Sequence, residues 1–322
     1  MEKKWNGKNF FAKNGSWMAL FLLAVVSTIL NGKNFLSVSN ILNLLRQVSM
    51  LGLATIGVNF IIIAGCKDLS VGGIAAVCSM VAAFLSPYGT AAAIIGGTLT
   101  ALLLGTLNGF LVAVLKILPF IATLGTMIAF NGIALLVHDG KSLAISENSA
   151  GFEFLGRGLI LNIPFPILIF VVTAAVAIYV SKHTRYGRAV YAIGGNEESA
   201  VMMGIQVAKT KMLLYIFSGL LAGFGGIMMS SRLNAGIPFT GKGWDMYTIA
   251  AVVMGGTLIR GGEGKISGAV AGILIWGIIQ NMINMMGDVS TYWQQIIMGF
   301  ILLGAVIVQN IAERRRGAIN EG

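Results

Sequence analysis

Charge is what this sequence has least of. Asp, Glu, Lys and Arg make up 11% of its 322 residues, against roughly 25% in an average soluble chain. A soluble domain of this length needs more polar surface than that, so the apolar runs must face lipid and one another. Cysteine is limited to 2 residues. Cys66 and Cys78 lie in or beside apolar segments without metal-ligand spacing, which excludes a disulfide scaffold and leaves both as packing residues. The two histidines, His138 and His183, are far apart in the chain and fall in loops assigned to opposite sides of the membrane. No Ser-His-Asp set, HExxH helix or paired carboxylates occur, and with them goes the case for an enzyme. Carboxylates are also missing from the middle of every apolar run. All 12 acidic residues sit in loops or at run ends, Asp68 and Asp245 coming nearest to membrane depth. A charge at mid-bilayer costs about 2.5–3.5 kcal/mol on insertion scales and survives mainly in proton relays and ion sites. Proton coupling therefore lacks an obvious group, whereas sodium coupling through carbonyls and hydroxyls at broken helices is weakened but not excluded.

What is present is apolar. Hydrophobic residues reach 56% and mean hydropathy is +0.84. The 43 glycines lie inside Leu-, Ile-, Val- and Met-rich runs, where small residues let membrane helices approach closely. The net charge of +10 is scattered between the runs rather than gathered on one face, which argues against nucleic acid and for an orientation signal. Ten candidate spans follow one another: Trp17–Leu30, Val48–Ala64, Val71–Leu85, Ala91–Leu115, Pro119–Val137, Pro164–Val180, Met212–Met229, Tyr247–Leu258, Ile266–Ile283 and Tyr292–Ile311. Met1–Lys13 and the first run mimic a secretory signal, but no A-x-A-like site ends the run, so it reads as an uncleaved first helix. Several runs are shorter than the roughly 20 residues a spanning helix needs. Helix ends are therefore expected to meet inside the protein, near Asp68–Gly73 and Gly255–Gly268.

With a cytoplasmic N-terminus, ten spans place 16 of the 22 Lys and Arg inside and 6 outside, as the positive-inside rule prefers. Both termini and the loop Ser181–Lys211 are then cytoplasmic, and His138–Ile163, with Glu147 and Glu153, lies outside. Asn34–Gln47 puts Phe35, Ile41, Leu42 and Leu45 near one helical face, as an interfacial helix on the outer side would. The chain reads as a single all-α polytopic domain with broken or re-entrant segments, compatible with an inverted repeat. Residues 1–15 form its N-terminus, 16–311 the membrane core, 181–211 a cytoplasmic loop and 312–322 the tail.

Gly261-Gly262-Glu263-Gly264-Lys265-Ile266-Ser267-Gly268 mimics a phosphate loop. Ile259 stands at the first glycine position and Ile266 at the Mg²⁺-binding hydroxyl position of a Walker A loop, so the match fails. Any ATP is hydrolysed on another chain. The spans do carry neutral polar side chains, among them Asn59, Asn108, Thr126, Asn131, Gln280, Asn281 and Asn284. Any one of these can simply join helices; as a set they suit a pathway for an uncharged polyhydroxylated solute. The sharpest signal is in the inner loop. Gly194-Gly195 reads as a turn, Asn196 as an N-cap, Glu197 and Glu198 as an acidic first turn and Gly204 as a stop. Within it, Glu198-Ser199-Ala200-x-x-x-Gly204 puts small residues on a short cytosolic helix fit to dock into a partner's groove.

Five stretches in order, Asp68-Leu69-Ser70-Val71-Gly72, Pro119-Phe120-Ile121-Ala122-Thr123-Leu124-Gly125, His183-Thr184-Arg185-Tyr186-Gly187-Arg188, Tyr191-Ala192-Ile193-Gly194-Gly195-Asn196-Glu197 and Ile249-Ala250-Ala251-Val252-Val253-Met254-Gly255-Gly256-Thr257, closely resemble the permease family of ribose-type ABC importers. The resemblance runs from Asn34 to Gln309. It implies a ten-span permease in the prokaryotic inner membrane that pairs with a second permease copy and receives a monosaccharide from an extracytoplasmic binding protein. It also implies coupling to a cytosolic ABC ATPase, which holds the ATP and Mg²⁺, through Asn196–Gly204; this chain binds no cofactor or metal. Cys66-Lys67 departs from the glycine and apolar residue usual before the turn of Asp68, Leu69, Ser70 and Gly72. The alternatives are a permease for branched-chain amino acids or nucleosides, a stand-alone secondary transporter or channel, and a membrane enzyme.

Overall fold

The computed structural model describes residues 7–285 and, beyond them, positions 293, 296, 297, 299, 300, 303, 304 and 307. The tenth expected span, Tyr292–Ile311, lies apart from those few positions outside the described residues, as does the tail 312–322. Among the described residues eight helices are long and apolar enough to cross a membrane, with a shorter one at Trp244–Met254. The helices are α1 (Gly7–Phe35), α2 (Val38–Ile63), α3 (Val71–Leu85), α4 (Thr90–Gly109), α5 (Pro119–Leu136), α6 (Phe154–Arg157), α7 (Phe165–His183), α8 (Arg185–Gly195), α9 (Glu197–Met202), α10 (Val207–Leu233), α11 (Trp244–Met254) and α12 (Ile266–Met285). A π-helical turn, Phe110–Val114, continues α4. The chain is an all-α multi-pass membrane protein.

α2 and α10 form the centre, and small residues explain why. Gly97, Ala101, Gly105 and Gly109 recur every fourth residue along one stripe of α4. The stripe meets Ile227, Gly223, Gly219 and Met212 of antiparallel α10 in turn. A Cβ on Gly219 would stand 2.7 Å from the Gly105 Cα, so the two backbones are in contact, the packing that drives helix association in lipid. α10 lies as closely against α2, with Gly57 over Ser218 and Gly225 over the Met50 carbonyl. α1 instead lies at the margin, mostly exposed and bent at Gly32.

The interfacial helix expected at Asn34–Gln47 is not separate. Ser37 caps α2 by accepting from the Asn40 N–H, and nothing between Val38 and Ile63 breaks the helix, so Asn34 and Phe35 end α1 and residues 38–47 become the first turns of α2. Two short antiparallel pairs, Leu143–Ala144 with Ala235–Gly236 and Leu159–Ile160 with Ile163–Pro164, fasten the loops opposite α8 and α9.

Helix ends do meet in the interior. After α2 the chain turns back so that Asp68 reaches Ser218. Ser218 is the residue that also packs on Gly57, nearly two turns before the end of α2. From the other side, residues 235–243 descend along α3, where Gly236 lies over Ser79 and Met80 and Gly241 over Gly72. Two re-entrant segments entering from opposite ends thus touch at Gly72 and Gly241. α11 starts at this depth, which is why it is only 11 residues long.

Candidate functional site

The turn at Asp68 is held by side chains that its sequence supplies. Asp68 Oδ1 accepts from the Ser70 N–H at 2.9 Å and from Ser70 Oγ at 2.6 Å, and Oδ2 accepts from Ser218 Oγ at 3.1 Å. Asn108 of α4 donates to Ser70 Oγ at 2.7 Å, and Tyr215 of α10 donates to the Lys67 carbonyl at 2.8 Å. Asp68, Leu69 and Ser70 are buried, and a side chain on Gly72 would strike the Gly241 carbonyl. The sequence placed Asp68 at a span end; the structure puts it in the packed interior, because the chain re-enters before α3 begins. Its partners are hydroxyls and an amide N–H, which make it a latch between α3, α4 and α10.

Below that turn three chain segments meet backbone to backbone. Gly194 of α8 sits directly on the Ile63 carbonyl at the end of α2, the same oxygen that accepts from the Gly262 N–H at 2.8 Å. Gly261 and Gly262, both with positive φ, press on Gly65 and Gly195 respectively. Tyr191 donates to the Gly264 carbonyl at 2.9 Å. Asn59 of α2 accepts from Thr257 Oγ1 at 2.8 Å and donates to the Lys265 carbonyl at 3.2 Å. The segment that mimics a phosphate loop is therefore a joint: its Gly261 and Gly262 N–H groups go to Leu258 and Ile63.

α8 had no expectation in the sequence, since Gly194-Gly195 read as a turn. Thr184 caps it by accepting from the Gly187 N–H, and its two glycines are its last residues, of which Gly194 allows the close approach to α2. α9 follows as the cap signals indicate. Asn196 Oδ1 accepts from the Ser199 N–H at 2.7 Å, and Gly204, at φ +78, ends the helix. There the Gly204 N–H bonds the Val201 carbonyl and the Ile205 N–H the Ala200 carbonyl, a Schellman motif that requires a left-handed residue. Glu197 pairs with Lys211 at 2.7 Å, fixing α9 to α10.

The outward face of α9 is not the small-residue face. Ala200 is fully buried against the chain's own body. Glu198 and Ser199 are exposed, and beside them Val201, Met202 and Met203 are 57%, 87% and 67% exposed. A groove of about 750 Å³ adjoins this patch, lined by Val112, Lys116, Leu118, Glu197, Val201 and Lys211 among others. Three neighbouring apolar side chains on a capped helix end were present in the sequence, but which face they occupy depends on α10.

The neutral polar residues do not converge on one channel. Asn59 and Asn108 are buried ties, although Asn108 Oδ1 has no partner. Thr126 bonds back to the Thr123 carbonyl. Asn281 exchanges amide bonds with Asn40, at 2.8 and 3.1 Å, joining α12 to α2. Gln280 is half-buried and Asn284 exposed, both on the last turns of α12. Asn131 alone of the set stands exposed on α5. It flanks a stripe of Ile121, Gly125, Ile128 and Gly132, all exposed, whose two glycines have no neighbour within 4 Å. This face of α5, a helix that packs chiefly on α3, is left uncovered by the chain itself.

The fold is that of a multi-pass membrane protein, and comparison with known proteins gives its class, a membrane permease. The chain belongs to the family described as branched-chain amino acid transport system / permease component, whose model matches residues 40–306. It is similar to a ribose import permease protein of Bacillus subtilis (strain 168), 42% identical over 92% of both chains. It is also similar to a D-allose transport system permease protein of Escherichia coli (strain K12), 35% identical over 97% of this chain and 96% of that one. An L-arabinose transport system permease protein of the same strain is 34% identical over 94% and 92%. No solved structure matches the chain significantly.

Proposed function

We propose that this chain is the membrane permease of an ATP-driven importer for a neutral monosaccharide, with both termini, α8 and α9 in the cytoplasm. The observation that carries the coupling role is the Val201–Met203 patch. Apolar side chains this exposed on a rigidly capped helix would be a liability in water unless a partner covers them. In this reading the partner is the cytosolic ABC ATPase, which holds ATP and Mg²⁺ while this chain binds neither. Motion of α9 is passed through α8 to the end of α2 and to residues 255–265, since those backbones touch. The open stripe on α5 faces a second permease copy across the pathway, and Asn131 offers a passing sugar an amide. α5 carries no charged residue from Pro119 to Leu136, which suits an uncharged solute. A binding protein delivers the sugar from the opposite side.

The description of the family names branched-chain amino acids, while the relatives named above are permeases for ribose, allose and arabinose. An amino acid would need partners for both its charged termini, and α5 has none to offer. The test is uptake of labelled ribose, allose, arabinose and leucine into vesicles holding the permease, with and without ATPase and binding protein. Sugar uptake that requires both partners and ATP is expected. Leucine uptake with no sugar carried, or uptake without the ATPase, would overturn the reading.

A further inference from the structure

Lys242 stands where a lysine is least expected. The ten-span topology of the sequence leaves it outside the membrane, but the structure carries it inward with residues 235–243. Ser79 of α3 anchors that segment, its Oγ accepting from the Ile237 N–H and from Thr240 Oγ1, both at 3.3 Å, and the Gly241 carbonyl lies on Gly72. Gly72 is the second residue of an apolar helical run that ends at Tyr88, so at 1.5 Å per residue it lies about 24 Å below the outer end of that run. Gly225 of α10 meets both the Trp244 ring and the Met50 carbonyl, and Met50 falls in the middle of α2. Both measures put residues 241–244 near mid-membrane.

At that depth the lysine is bare. Gly241 and Gly243, both at φ +81, turn the chain on either side of it, and while Gly241 is buried Lys242 is exposed. Among the described residues the ion pairs are Lys211–Glu197 and Arg260–Glu263, neither of which involves it. Of the 12 acids in the sequence only Asp68 and Asp245 approach this depth. Asp68 is buried and already accepts from three donors. Asp245 faces the N–H groups of its own residue and of Met246 at the start of α11. A second copy of the chain would bring the same two acids. An ammonium without a counter-charge is not tolerated among acyl chains, and from mid-depth a four-carbon stem does not reach the headgroups; such a residue faces a water-filled passage.

Its neighbours identify the passage. Gly72 touches the Gly241 carbonyl, and the next residue, Gly73, touches the Met127 carbonyl and Phe130 of α5, with the Asn131 backbone nitrogen 3.6 Å from where its Cβ would be. Successive helical residues point about 100° apart, so residues 241–243 and the Asn131 turn of α5 lie side by side on α3 at one level. Above them the pairing of Leu143–Ala144 with Ala235–Gly236 ties the chain beyond α5 to the same segment. The exposed side chains of Lys242 and Asn131 therefore border one uncovered face, with Phe239 and Met246, 60% and 52% exposed, beside the lysine.

We propose that Lys242 lines the solute pathway next to Asn131 and donates hydrogen bonds to hydroxyl groups of the passing monosaccharide, a contact that rests on the importer reading above. The ammonium supplies donors and the Asn131 amide both donors and an acceptor. Phe239 and Met246 add apolar wall, and a mostly apolar lining with a few placed polar groups is the makeup of small-molecule sites. A zwitterionic amino acid fits worse, because its own ammonium meets a like charge.

The experiment has two arms, in vesicles holding permease and ATPase with the binding protein present. In the first, Lys242→Cys, with Cys66 and Cys78 replaced, is treated on both faces with a charged methanethiosulfonate reagent, which modifies thiols in water and not in lipid. Modification is expected, and sugar-loaded binding protein should slow it. In the second, uptake of labelled ribose, allose and arabinose is compared. Lys242→Met should lower the maximal rate about tenfold, the effect of losing one hydrogen bond from a charged donor, and should change the ratio of the three rates, which a folding defect alone would not. Lys242→Arg should keep most of both. A thiol at 242 that stays unreactive while Leu161→Cys reacts puts the lysine under lipid or another helix and overturns the proposal, as do wild-type rates and ratios in Lys242→Met. The same loss in Asp288→Asn, not deepened in the double variant, would make Lys242 the ion-pair partner of Asp288, which lies outside the described residues, and also refutes it. A wild-type complex that carries none of the three sugars overturns the importer reading, and this contact with it.

Discussion

The two ends of the molecule are joined by different mixtures of backbone and side-chain contact. At the α9 end, α2, α8 and residues 255–265 meet through backbone atoms, with Gly194 on the Ile63 carbonyl and Gly262 bonded to that same oxygen. At the opposite end the strand pairs and the close approach of Gly156 to the Arg232 backbone are supplemented by side-chain hydroxyls: Ser149 donates to the Ser86 carbonyl at 2.6 Å, Ser86 Oγ accepts from the Ser146 N–H at 2.9 Å and Ser231 Oγ accepts from the Gly156 N–H of α6 at 2.8 Å. A backbone junction has no rotamer to absorb a displacement, so what pushes α8 moves α2. A hydroxyl-laced cap holds its loops together.

The largest effect should come from filling the junction. Gly194→Val puts a side chain into the Ile63 carbonyl and the Gly262 nitrogen, whereas its neighbour Gly195 has open space beyond its Cα. Overpacking usually costs about 1–3 kcal/mol, and a backbone has less room to yield than side chains do. ATP-driven uptake and thermal stability should fall sharply in Gly194→Val and stay near wild type in Gly195→Ala. Equal behaviour of the two would remove the distinction between a transmitting junction and an ordinary loop. Next in size is Gly204→Val, which forces a β-branched residue to φ +78, a strain of about 1–3 kcal/mol. It should unseat α9, lowering ATPase co-purification while leaving surface delivery unchanged. Smallest is Glu197→Gln. Its partner Lys211 is largely covered, but Glu197 is half exposed, and such pairs contribute about 0–1 kcal/mol. Melting temperature and uptake should hardly move, and a large loss would mean that this pair, not the helix cap, fixes α9.

The same contrast explains what could be read in the sequence. Local rules are written locally: Asn196 and Gly204 bound α9 as their chemistry requires, and the breaks at Asp68–Gly73 and Gly255–Gly268 follow from runs too short to span. The face that α9 turns outward is set by its packing on α8 and α10, which the pattern of small residues alone does not show, so Ala200, expected to meet a partner, packs inward. Asn59, Asn108 and Asn281 looked like pathway residues because an amide in an apolar run has the same signature whether it meets a solute or another helix. Their partners, Thr257, Ser70 and Asn40, lie 198, 38 and 241 positions away.

The central claim is that α9 is the contact with the ATPase, and cross-linking tests it most directly. Met202→Cys, 87% exposed at one end, and Leu161→Cys, 90% exposed at the other, are compared in complexes treated with a membrane-impermeant thiol–amine cross-linker applied to both faces. Cys66 and Cys78, both buried, are replaced beforehand. The account predicts a permease–ATPase adduct from position 202 and none from position 161. An adduct from 161, or its absence at 202 in complexes that still import sugar, would contradict it.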